Sequence, residues 1–112
     1  MNAVLNVYNG CESDEPIKTF VCKRLTFQVG SKIEILTEKI GKLEKSKTED
    51  TTAEEILKIN EDQIDLTVET LQAIFPTFTR EDFNGVDPLE YQQFIYEIGK
   101  ATAQVVNRAQ KN

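Results

Sequence analysis

The stretch Leu71-Gln72-Ala73-Ile74-Phe75-Pro76-Thr77-Phe78-Thr79-Arg80-Glu81-Asp82-Phe83-Asn84-Gly85-Val86-Asp87-Pro88 holds a helix stop, a short capped helix, a glycine exit and a new helix start. Pro76 ends the helix before it, because proline lacks an N–H and its ring clashes with the carbonyl four residues back. Thr79 with Asp82 has the spacing of a capping box, although Glu or Gln is the usual last member. Asn84-Gly85 offers two residues that tolerate positive φ, which suits a helix C-terminus. Asp87-Pro88 supplies an N-cap and a favoured first helical residue. With Phe75, Phe78 and Phe83 spread across these turns, the sequence predicts a compact aromatic corner between helices.

Downstream, a last helix is predicted from Pro88 to near Arg108. Tyr91, Phe94, Ile95, Ile98, Ala101 and Val105 share one face, and Gln92, Gln93, Glu97 and Lys100 face out. Upstream, Asn60 reads as a cap, Glu61 and Asp62 fill a first turn, and Ile64, Val68, Leu71 and Phe75 form the buried stripe of a helix starting at 60. Residues 46–59 read as a polar linker, in which Thr52-Ala53-Glu54-Glu55 could begin a short helical turn carrying Ile56, Leu57 and Ile59.

An amphipathic helix is predicted over 24–45, where Leu25, Val29, Ile33, Leu36, Ile40 and Leu43 recur every three or four residues. Gly30 is tolerated inside it, and Ser31 with Glu34 offers an alternative capped start. Residues 1–23 read as a β-hairpin. Ala3 to Tyr8 alternate, Asn9-Gly10 turns the chain, and Ile17 to Cys22 put Ile17, Thr19 and Val21 on one face and Lys18, Phe20 and Cys22 on the other. Two strands alone are marginally stable, so one face needs helices or a partner to cover it. The expected fold is therefore a single α+β domain over 1–112, mostly helical: an N-terminal β-hairpin followed by three to four helices.

Composition narrows the chemistry. The 112 residues are 39% hydrophobic and 29% charged, the range of an ordinary globular chain. There is no histidine, so the commonest general base and metal ligand is missing. Cys11 and Cys22 form no C-x-x-C pair. They are read as reduced structural thiols, although a hairpin could bring them together. The five glycines are scattered and build no phosphate loop, and the acidic runs lack the pattern of a calcium site. Glu54/Glu55 and Glu61/Asp62 sit at helix starts, where complementing the dipole accounts for them. The reading is a non-enzyme without catalytic residues, metal or cofactor.

A net charge of −6 argues against a nucleic-acid partner, as does the shortage of Lys and Arg on the last helix, which a helix-turn-helix reading of the corner would require. No apolar run approaches the roughly 20 residues of a membrane span, and the N-terminus has no signal-peptide pattern. What remains is protein binding. Five aromatics are hard to bury beside three aliphatic stripes in so small a domain, so Leu71, Phe75, Phe78, Phe83, Tyr91, Phe94 and Ile98 are the candidate partner-binding residues.

The corner carries a resemblance. A helix ending in an aromatic, then Phe78-Thr79, Glu81-Asp82-Phe83 and Gly85, then a long amphipathic helix from Pro88, resembles the tail assembly chaperones of long-tailed phages and prophages of Gram-positive bacteria. The match is best over about 60–100, with a looser fit at Lys23-Arg24-Leu25; Pro76 and the long loop around Gly10-Cys11-Glu12 depart from the pattern. The resemblance implies a chaperone in the host bacterial cytoplasm, absent from the mature virion, that binds the tape-measure protein while the tail tube assembles. It also implies a longer product of ribosomal frameshifting that recruits the tail tube protein. Gln110-Lys111-Asn112 can be encoded with a slippery A-AAA-AAT heptamer. A homo-oligomer through the last helix is a further expectation. The alternative reading is a small oligomeric adaptor or regulatory protein-binding module of a phage or prophage.

Overall fold

The computed structural model describes the backbone of residues 1–111 and side chains through Ala103. Asn112 and the side chains of 104–111 lie outside the described residues, and with them the expectations placed on Val105, Arg108 and Gln110-Lys111-Asn112. The described chain is α+β and mostly helical, in the order β1 (Ala3–Val7), β2 (Lys18–Cys22), α1 (Phe27–Lys45), α2 (Ala53–Ile74), α3 (Arg80–Phe83) and α4 (Pro88–Lys111).

β1 and β2 pair antiparallel with Ala3 opposite Cys22 and Val7 opposite Lys18. This register turns Ala3, Leu5, Val7 and Cys22 inward, with Phe20 packed against the same core. The opposite face carries Val4 beside Val21, and Asn6 beside Thr19, whose hydroxyl donates to Asn6 Oδ1 at 2.8 Å. Gly10 turns the connecting loop with φ 88°, a conformation that costs residues with a Cβ.

Three sequence expectations are corrected. The first concerns α1, which begins at Phe27 rather than 24. The Thr26 hydroxyl accepts the Val29 N–H at 3.3 Å and caps it, so Ser31 is not a start and Gly30 is buried within the helix. Second, α2 begins at Ala53, so residues 53–59 are helix rather than linker and Asn60 lies inside it. The Thr52 hydroxyl accepts the Glu55 N–H at 3.1 Å, and Glu54 and Glu55 complement the dipole at that end. Two cap signals compete locally here; the earlier one is used, and the turns it adds leave Ile56 and Ile59 half-buried, while further along α2 Gln63 Nε2 donates to the Ile40 carbonyl and to Glu44. Third, Ile64 is exposed rather than part of the buried stripe.

Pro76 ends α2 as expected, with Phe75 its extended C-cap. α1 packs against both α2 and α4, and α4 packs against β1. The core lies where these meet the hairpin, and the molecule is a slab of 45 × 40 × 21 Å. Its radius of gyration of 15.4 Å exceeds the about 13 Å of a compact chain of this length. The reason is visible along the chain: no residue from 37 to 67 is buried. The loop end of the α1–α2 hairpin is an arm that leaves the core.

Candidate interaction surface

The corner is built as its sequence suggested, with one difference. Thr79 and Asp82 form a reciprocal capping box: Asp82 N–H donates to the Thr79 hydroxyl at 3.1 Å, and Thr79 N–H donates to Asp82 Oδ2 at 3.0 Å. Asp82 is buried and also accepts from Lys18 Nζ at 2.8 Å, which ties α3 to β2. Burial alone would raise this carboxyl; the Lys18 ammonium and the Thr79 donors outweigh it and hold Asp82 below the usual carboxylate value. The difference lies at Asn84-Gly85. Asn84 has φ −64°, and Gly10 is the one residue with positive φ among those described. Gly85 is needed for room, since it lies against the backbone of Tyr8.

The rings expected to face a partner face inward. Phe75, Phe78 and Phe94 are buried, as are Leu71 and Ile98. Phe20 of β2 closes the group, its centroid 5.1 Å from Phe75 and 5.4 Å from Phe78, while Phe75 lies 5.7 Å from Phe94. Such tilted and edge-on pairs add about 0.5–1.5 kcal/mol each beyond the area they bury. Phe83 and Tyr91 are half-buried and meet edge to face at 6.1 Å. Burial pushes the Tyr91 phenol up to about 12, with the Thr67 hydroxyl pulling the other way. The seven candidate partner-binding residues are therefore core or its margin. So many aromatics fit inside so small a domain because the inner face of the hairpin, with Phe20, covers them.

Two open grooves flank the hairpin loop. One, of about 540 Å³, runs between Asn9-Gly10, Lys18 and α3. The other, of about 400 Å³, runs between Cys11 to Asp14 and Asp87 to Glu90. Their polar groups hold one another. Glu90 accepts from Tyr8 Oη at 2.6 Å and from Asn6 Nδ2 at 3.0 Å, while Asp87 Oδ1 caps α4 by accepting from Leu89 and Glu90 N–H. The Glu90 bond, with a smaller contribution from burial, raises the Tyr8 phenol above its ordinary value. Cys11 is exposed and Cys22 buried, and both are free thiols. Among the described residues, no cluster of three or more His, Cys, Asp or Glu is placed to hold a metal. No helix among them is long and apolar enough to cross a membrane.

The apolar surface that stays open lies elsewhere. On α4, Leu89 (76% exposed) and Tyr96 (61%) are seven residues apart and so lie on one side, away from Phe94 and Ile98. The Lys100 ammonium sits 4.7 Å above the Tyr96 ring. On the α1–α2 hairpin, Ile35 (56%), Leu57 (68%) and Ile64 (38%) are uncovered. The motif at the corner could not reveal these residues; helical spacing opposite the buried stripe could have found Leu89, Tyr96 and Ile35, but not Leu57 and Ile64, which continue the stripe of Val68 and Leu71. Comparison with protein-family models, curated proteins and solved structures gives no match.

Proposed function

We propose that this chain is a non-enzymatic tail assembly chaperone of a long-tailed phage or prophage. In this reading it holds amphipathic helices of the tape-measure protein out of aggregation while the tail tube forms. The corner residues Phe75, Phe78, Thr79, Glu81, Asp82, Phe83 and Gly85 carry the resemblance, and the observation that supports a holding role is the outward pair Leu89 and Tyr96 on α4. A seven-residue spacing of apolar side chains along a helix suits a second helix laid against it. Contact with a client thus passes from the buried rings to the opposite face of the same helix. Each contact is small, so tight holding comes from many copies along one long client. The chaperone acts in the host cytoplasm, leaves before the virion is complete, and engages the tail tube protein through a longer frameshifted form.

Co-expression with a tape-measure protein tests this. The client should appear in the soluble fraction with the wild-type chain and precipitate with Leu89→Asp/Tyr96→Asp. A client equally soluble without the chaperone would overturn the proposal.

A further inference from the structure

The α1–α2 hairpin carries two exposed faces of opposite charge. On α1, Ile35 is bordered by Lys32, Lys39 and Lys42 at positions three before, four after and seven after it, with Glu38 three after it, all on one side of the helix. Ile33, Leu36 and Ile40 turn the other way, into the molecule. Lys42 is paired with Glu38 at 3.5 Å, whereas Lys32 and Lys39 have no carboxylate within 4 Å among the described residues.

On α2, Leu57 and Ile64 continue the stripe of Val68, Leu71 and Phe75 past the point where the core ends. Glu54 and Glu61 border them at helical-neighbour positions and likewise have no basic partner among the described residues. The side of α2 that meets α1 is marked by Gln63, which reaches Ile40 and Glu44. Leu57 and Ile64 are turned roughly a quarter to a third of a circle from that direction. Ile35 is turned further still from the seam on α1. The basic face and the acidic face thus point away from each other and cannot meet within one chain.

We infer that a second copy of this chain covers these faces, the Lys32/Ile35/Lys39 face of α1 in one copy docking on the Glu54/Leu57/Glu61/Ile64 face of α2 in the next. The charges are complementary, each face has an apolar centre, and neither is covered in the monomer. The two surfaces differ, so the contact is head-to-tail and repeats from copy to copy instead of closing as a two-fold dimer. Exposed charges set partner choice and encounter more than tightness, so association is weak and salt-sensitive. It needs no client, and it stands or falls apart from the chaperone reading.

Sedimentation velocity on the full chain tests it. Wild-type protein should grow past dimer with concentration at about 0.05 M salt and return to monomer at about 0.5 M. Lys32→Glu/Lys39→Glu has two acidic faces, and Glu54→Lys/Glu61→Lys has two basic ones. Each should be monomeric alone with an unchanged circular dichroism spectrum, and an equimolar mixture should assemble, because opposite faces are then restored between the variants. A wild type that stays monomeric at low salt, growth that stops at dimer, variants that assemble alone, or a mixture that stays monomeric would each overturn the inference.

Discussion

Gly85 lies directly against Tyr8. Its carbonyl accepts the Tyr8 N–H at 2.7 Å, and a Cβ at position 85 would run into the Tyr8 carbonyl oxygen and come within 2.8 Å of Val7 Cγ1. Val7 and Val86 form an isolated antiparallel bridge at the same place, which ties the exit of α3 to β1. This contact sets the height of the corner against the hairpin, and through it the placing of Phe78 beside Phe20.

Gly85→Ala should therefore cost about 1–3 kcal/mol, the range for forcing extra atoms into a packed site. Gly41→Ala is the control, because nothing lies within 4 Å of a Cβ there and its position is mid-helix. It should be neutral or stabilise by up to about 1 kcal/mol. Urea unfolding of both variants reads the difference in sign.

Asp82 links stability to acid. Its folded carboxyl is held below the ordinary value, so the unfolded chain takes up the proton first as pH falls. The stabilisation is complete above the unfolded value of about 4 and is lost as pH drops through the lower folded value. Asp82→Asn should have a lower urea midpoint at pH 7 and a flatter decline below about pH 4 than wild type. An unchanged slope would mean that other carboxylates dominate.

Tyr91 does the reverse at high pH. Its phenol titrates at about 12 in the folded chain and near the ordinary 10 when unfolded, so the stability it supports is full below pH 10 and falls between there and about 12. Tyr91→Phe should unfold at higher pH than wild type, and ultraviolet titration should lose its highest phenolate step.

Phe94 and Tyr96 stand two residues apart on opposite sides of α4. Phe94→Ala should cost about 3–5 kcal/mol by emptying the ring cluster. Tyr96→Ala should stay within about 0.5 kcal/mol of wild type, as surface changes do. Thermal melts separate them, and only Tyr96→Ala can report on client binding without unfolding the chain.

The corner was legible because its signals are local. Pro76 stops a helix, Thr79 and Asp82 cap one, and Asp87-Pro88 starts one through atoms at most a few residues apart. The hairpin and the stripe of α1 were legible for the same reason, as periodicity reports which side of an element is apolar. The start of α2 was not, since Thr52 and Asn60 are both serviceable caps and only packing against α1 chooses between them.

By itself the sequence determined the element types, the aromatic corner and the absence of histidine chemistry. The tertiary structure alone decided where each apolar stripe is covered and where it meets water. Phe20, far from the corner along the chain, seals Phe75 and Phe78, while Leu57 and Ile64 lie on the same stripe as Val68 and Leu71 yet project past the core. Periodicity states which face of a helix is apolar, and exposure depends on what another segment brings against that face.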